Sequence, residues 1–352
     1  MSHVDDAAIW NHLNQLTKPS GSLGQLEQLA ARMCKVQGTV HPVSRPRRAV
    51  LFAADHGVVT EGVSAWPAEI TRLMIENIRT GGAASSVLAK VTGTELRLVN
   101  VGAITGDSNA PFSPRSASAP HVTYRNACIR PGSGNLYHEP AMSLDDFQQA
   151  ILVGREEARL AVTDGIRVAA VGEMGIGNTT PASCLTMLLA GVSLDEAVGR
   201  GAGADDDTLA RKCKIVQAAV ERVRQAGQIY RPESLASVAG FEIAAMAGFY
   251  AEASQRDLMV ILDGYVATAA ALLAETFEPH CTESMIASHR SAEPGHRRAL
   301  EALGLTPMLD WQLRLGEGTG ALLLMPMLDA AAAICSQMSC FTDLGFAVET
   351  RR

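Results

Sequence analysis

Apolar positions along the chain fall into two patterns. Short, nearly continuous apolar runs of strand length occur at residues 49–54 (AVLFAA), 95–101, 167–171 and 258–262. Such runs fit strands buried on both faces. Between them lie longer stretches with helical spacing. Residues 4–36 read as helical, broken at Lys18-Pro19-Ser20-Gly21-Ser22 and resuming at Leu23 with Leu26, Leu29, Ala30 and Met33 on one stripe. A helix is expected to start near Pro67, whose fixed φ suits a first helical position. Another spans 144–162, entered through Ser143 with Asp146 at capping-box spacing, and a further one spans 207–226 with acids at its start.

Strands alternating with helices predict an α/β fold with a mostly parallel sheet covered by helices on both faces. In such sheets ligands collect at the carboxyl ends of the strands. The segment 102–142 is rich in Pro, Ser, Gly and Asn without clear periodicity, and reads as a long functional loop. Residues 288–352 return to helical patterning. The expected organisation is a large α/β domain over 41–287 and a small, mainly helical unit made from 1–40 and 288–352.

Composition narrows the function. Hydrophobic residues make up 47% but aromatics only 5%, so the core must be aliphatic and small-residue rich. A net charge of -7 and a pI near 5.7 argue against sequence-independent nucleic-acid binding and favour a small-molecule substrate. The stretch 321–335 is interrupted by Pro326 and Asp329, and reads as too short and too broken to span a bilayer. The first ten residues lack the basic start and apolar core of a signal peptide. Seven scattered Cys without a C-x-x-C pair fit reduced thiols, and nine His show no metal-ligand spacing. A cytoplasmic protein with neither metal nor cofactor is expected.

The strongest local signal is Val171-Gly172-Glu173-Met174-Gly175-Ile176-Gly177-Asn178-Thr179-Thr180-Pro181, read as a glycine-rich turn between a strand and a helix, with Thr180 as cap and Pro181 in the first helical position. A helix N-terminus with glycines around it suits an anion. Residues 172–179 match G-x-x-x-x-G-x-T, but Asn178 stands where a P-loop has its lysine, which disfavours a nucleoside triphosphate and leaves a monophosphate open. Glu173 inside such a loop suits ribose hydroxyls or a cationic ring. A second glycine cluster, Gly199-Arg200-Gly201-Ala202-Gly203, precedes the helix bearing Lys212, and Arg200 and Lys212 are candidate phosphate contacts. A third, Leu315-Gly316-Glu317-Gly318-Thr319-Gly320, reads by itself as an exposed turn. Asp263-Gly264 after a strand suits ribose binding or a helix cap. Ser288-His289-Arg290-Ser291-Ala292-Glu293-Pro294-Gly295-His296 suits anion or carboxylate binding, with His56 and His289 as structural, hydrogen-bonded residues.

These segments, together with KPSGSLGQLE (18–27), ADHGVVTEGVSAWP (54–67) and GGAA (81–84), resemble the nicotinate-nucleotide:dimethylbenzimidazole phosphoribosyltransferase family over roughly residues 18–332. The resemblance implies a Rossmann-like sheet, a homodimer, and transfer of the phosphoribosyl group of nicotinate mononucleotide to 5,6-dimethylbenzimidazole with inversion at the anomeric carbon. It implies Glu317 as general base and Glu173 as a second catalytic carboxylate. Gly175, Gly177, Asn178, Thr179, Gly201, Lys212, Asp263, Gly264, Ser291 and Leu315 are implied as substrate-binding residues. Ala202 and Trp66 depart from the family pattern, where Thr and Tyr are expected. Two competing readings are a nicotinamide-dependent oxidoreductase, disfavoured because Gly175-x-Gly177 continues as Asn178-Thr179-Thr180, and a non-catalytic nucleotide or arene binding protein on the same fold.

Overall fold

The computed structural model describes residues 4–105, 117–201 and 203–346. Ala202 lies outside the described residues. Six strands, β1 (Arg47–Ala54), β2 (Glu95–Gly102), β3 (Val122–Asn126), β4 (Val168–Met174), β5 (Met259–Leu262) and β6 (Met285–Ala287), form a sheet in the order β3-β2-β1-β4-β5-β6. Every neighbouring pair is parallel. The helices are α1 (Asp6–Gln15), α2 (Gln25–Gln37), α3 (Glu69–Thr80), α4 (Ala84–Thr92), α5 (Leu144–Thr163), α6 (Thr179–Leu189), α7 (Leu194–Ala197), α8 (Asp206–Gln225), α9 (Pro232–Ala236), α10 (Phe241–Ser254), α11 (Tyr265–Glu275), α12 (Pro294–Ala302) and α13 (Thr319–Gln337).

The central strand β1 shows why the apolar runs are unbroken. Val50, Phe52 and Ala54 join the core built with α5, α6, α8, α10 and α11, whereas Ala49, Leu51 and Ala53 join the core built with α1, α2, α3, α4 and α13. Both faces are therefore buried and residues 49–54 are all apolar, while the buried Arg47 and Arg48 at the start of the strand are paired with Asp329, Glu95 and Asp164. The doubly covered parallel sheet is the expected fold. Strand order reverses between β1 and β4, which places a crevice at their carboxyl ends.

Four local expectations are corrected. The segment read as one long loop contains β3, an edge strand paired only with β2 and partly exposed, so its residues carry little apolar signal. The helix near Pro67 begins at Glu69, leaving Pro67 outside it. Gly172, Glu173 and Met174 are not in a turn: they extend β4 by pairing with Leu51, Phe52 and Ala53 of β1. Helix α6 consequently starts at Thr179 with Asn178 as its cap, and Thr180 and Pro181 lie inside the first turn.

The fourth concerns α13, which runs unbroken through Pro326. Its Asp329 is held by Ser44, Arg45 and Arg47 at the partly exposed side of the helix. By length and composition α13 is apolar enough to cross a membrane, but more than half of it is buried in the protein, against α2, α4 and the sheet.

Candidate active site

The carboxyl ends of β1, β4, β5 and β6 surround a cleft of about 440 Å³. Its walls are the 173–179 segment after β4, Gly264 and Tyr265 after β5, His289 and Ser291 after β6, Arg200 and Gly201, and the 314–317 segment before α13. Val63, Trp66, Ile70, Met74 and Ile176 supply an apolar side. Of the residues singled out from sequence, Glu173, Gly175, Gly177, Asn178, Thr179, Gly201, Gly264, Ser291, Leu315 and Glu317 line this cleft together. Lys212 and Asp263 do not line it and stand behind its walls.

Glu317 sits in an unusual backbone. Gly316, Glu317 and Gly318 all have positive φ, at 82°, 58° and 71°. For a side chain with a Cβ this costs about 1–2 kcal/mol, so surrounding contacts must hold it. Asp263 supplies them. Its carboxylate accepts from the amides of Gly318 (3.0 Å), Gly320 (2.8 Å) and Ala321 (3.2 Å), tying the loop and the start of α13 to the end of β5. Burial pushes the Asp263 pKa up, while these amides favour its ionised form. On the other side, a Cβ on Gly172 would fall 2.4 Å from the Gly318 nitrogen. Glycine in β4 thus lets the Glu317 loop lie directly on the strand.

The Glu317 carboxylate is buried and reaches the start of α4, where its Oε2 accepts from the Ser85 hydroxyl at 3.3 Å. Burial raises its pKa above the ordinary value, more strongly than the Ser85 hydroxyl and amide lower it. A partly desolvated carboxyl of this kind is suited to receive a proton from a ligand near neutral pH.

Glu173, the second carboxyl, is buried beside Asn178, whose side-chain amide donates to Oε2. Its pKa is raised well above the usual range, first by burial and then by the charges of Asp263, Glu242 and Glu317. Glu173 therefore holds its proton readily in the free protein, and a cationic ligand would favour its ionised form. Behind the 175–177 turn, His56 contacts Glu242 at 2.8 Å in a fully buried pair. Gly177 has φ 88°, and a Cβ there would meet Val59 at 2.6 Å, so its small size serves packing of the turn as well as access to a ligand.

A polar corner forms around the N-terminus of α6. Lys212, buried on α8, donates to Thr179 Oγ1 (2.8 Å) and to the Gly199 carbonyl (2.9 Å), joining the two glycine-rich segments. Burial lowers its pKa, opposed by Glu293. The helix N-terminus and the ammonium behind it make this corner favourable for an anion.

Ser291 faces the same corner through a chain of neutral contacts. Thr268 donates its hydroxyl proton to the Gly264 carbonyl and accepts from His296 Nε2 at 2.9 Å, leaving Nδ1 of His296 to accept from the Ser291 amide at 2.8 Å. Burial depresses the His296 pKa to about 3, consistent with that uncharged form.

Residues 2–345 match the model of a family described as phosphoribosyltransferase. The chain belongs to this phosphoribosyltransferase family. It is similar to the nicotinate-nucleotide–dimethylbenzimidazole phosphoribosyltransferase of Chromobacterium violaceum, with 43% identity over 330 residues, covering 94% of this chain and 92% of that protein. The enzyme of the same name from Thermus thermophilus is 42% identical over 334 residues, covering 95% of each chain. A crystal structure of CobT from that organism superposes with a TM-score of 0.89 and 42% identity, covering 98% of this chain and 99% of that one.

Within this family fold, some residues that line the cleft or support a residue lining it carry no signal in the sequence. Ser85 has no motif of its own, and only the preceding 81–84 segment marks its helix start. Ile70 and Met74 line the cleft outside every segment singled out from the sequence. Among the described residues, no group of three or more His, Cys, Asp or Glu is arranged to hold a metal ion.

Proposed function

We propose that the protein transfers the phosphoribosyl group of nicotinate mononucleotide to 5,6-dimethylbenzimidazole, releasing nicotinate and forming α-ribazole 5′-phosphate. The observation that carries this reading is a buried carboxyl, Glu317, that lines the same cleft as an anion-favouring corner and an apolar side. The phosphate goes to the corner made by Thr179, Gly201, Ser291 and, behind them, Lys212. The arene goes to the side lined by Trp66, Met74, Ile176 and Leu315.

The bond from C1′ to the pyridinium nitrogen breaks with its electron pair staying on that nitrogen, so nicotinate leaves with a neutral ring. The lone pair of one benzimidazole nitrogen forms the new bond from the opposite face, which inverts β to α. The proton on the other benzimidazole nitrogen passes to Glu317. General-base help of this kind is worth roughly 10²- to 10⁴-fold in rate. Glu173 faces the donor side, where its ionised form stabilises positive charge developing on the ribose. The leaving group is already cationic, so departure needs no metal. In the same reading the enzyme works in the cytoplasm as a homodimer.

Incubation with both substrates, followed by separation of nicotinate and the ribotide and NMR of the anomeric proton, tests this. Stoichiometric nicotinate and an α-linked product are expected. No product at any pH, or a β-linked one, contradicts it.

A further inference from the structure

His289 follows β6, lines the cleft, and has a defined tautomer. Ser288 has one hydroxyl proton, and its Oγ donates to the Asp263 carbonyl at 3.1 Å. The same Oγ lies 3.0 Å from His289 Nδ1, so it accepts there and Nδ1 carries the ring proton. Nε2 keeps its lone pair, and among the described residues none donates to it. Burial lowers the pKa of this imidazole against the pull of Asp263, in keeping with a neutral ring.

The ring is fixed in place. A Cβ on Gly320 would fall 2.0 Å from Nδ1, so α13 packs tightly against that edge. On the opposite edge, a Cβ on Gly264 would lie 3.7 Å from Nε2. Gly264 also lines the cleft, so the missing side chain leaves the Nε2 edge open towards a ligand. The residue as a whole is buried, yet Nε2 is not among the buried atoms left without a partner, so it is reached from the cleft side, where a ligand donor can meet it.

The chemistry of the ligands selects the donor. A phosphate dianion and the nicotinate carboxylate only accept hydrogen bonds. The single N–H of the arene belongs to Glu317. The remaining donors are the ribose hydroxyls. Resting on the proposed function, we propose that His289 is a substrate-binding residue whose Nε2 accepts a hydrogen bond from a ribose hydroxyl of nicotinate mononucleotide, and so selects ribonucleotide over deoxyribonucleotide donors.

The test compares kcat/KM for nicotinate mononucleotide and its 2′-deoxy and 3′-deoxy analogues in the parent protein and in His289→Phe. The parent is expected to lose roughly ten- to hundredfold with one of the analogues. His289→Phe should show that loss with the natural donor and discriminate no further. Full parental discrimination in His289→Phe overturns the proposal. Should that variant not fold, ¹⁵N spectra of the parent's imidazoles decide, with His289→Gln used for assignment. The Nε2 resonance of His289 is expected to shift on adding nicotinate mononucleotide and to shift less with the critical deoxy analogue, and an unchanged resonance overturns the proposal. This readout needs binding alone. A parent that binds the nucleotide but makes no product would sink the proposed function and still decide the role of His289.

Discussion

The backbone N–H of Glu317 donates to the carbonyl oxygen of Glu173 at 3.2 Å, joining the two carboxyl-bearing segments of the cleft through their main chains. The contact is possible because Gly172 and Gly318 nearly touch, and it fixes the separation of two acids that arrive from distant parts of the chain. Each group then has its own surroundings: Ser85 and the start of α4 for Glu317, Asn178 for Glu173. Two carboxyls in different environments can carry different roles at one pH.

Glu317 must be ionised to accept a proton, and its pKa is raised above 4.5 by burial. The acid limb of kcat should therefore lie above the ordinary carboxylate range. Ser85→Ala removes a hydroxyl that favours the ionised form, so it should move this limb to higher pH. A pH–rate profile checks both, and a limb that moves down in Ser85→Ala contradicts the assignment.

Asp263 accepts amides on both oxygens, and Asn presents an N–H to one of them. Asp263→Asn should leave a backbone donor unsatisfied, at a cost of about 1–3 kcal/mol. The Glu317 loop then loosens, so kcat should fall while KM for the nucleotide changes little, with a lower Tm. A rise in KM alone, with kcat and Tm unchanged, would instead put Asp263 on the ribose.

Glu173 has a folded pKa raised above its unfolded value. Its contribution to stability is fully present below the ordinary carboxylate range and is lost as pH rises through the folded pKa. Glu173→Gln has no proton to lose. Relative to the parent its Tm should improve with pH, by about 2 °C or more between pH 5 and pH 9, while turnover falls. A constant Tm difference across that window speaks against a protonated Glu173 in the free protein.

Trp66 is half-exposed at the apolar side of the cleft. Trp66→Ala should raise KM for dimethylbenzimidazole roughly 3- to 30-fold and leave KM for the nucleotide unchanged. Steady-state kinetics with each substrate varied in turn measure this, and the opposite split would reverse the assignment of the two ends.

The sequence reads clearly where burial is two-sided. β1, β2, β4 and β5 announce themselves as apolar runs, and the Ser143–Asp146 capping box is present as its spacing suggests. β3 is silent because an edge strand tolerates polar residues, and β6 because three residues carry no period. The cleft is legible as glycine-bracketed acids at strand ends, but their supports are not. Asp263 holds amides 55 to 58 positions away, Lys212 reaches Thr179 across 33, and Ser85 meets Glu317 across 232. Only the parallel topology brings these together, and no local spacing encodes it.

The most direct test of the central claim is the rate of nicotinate release by Glu317→Gln with saturating nicotinate mononucleotide and dimethylbenzimidazole. The amide preserves shape and the contact with Ser85 but cannot take the arene's proton. Turnover is expected to fall roughly 10²- to 10⁴-fold, with nucleotide binding and Tm close to those of the parent. A variant that releases nicotinate at the parent rate would contradict Glu317 as the base.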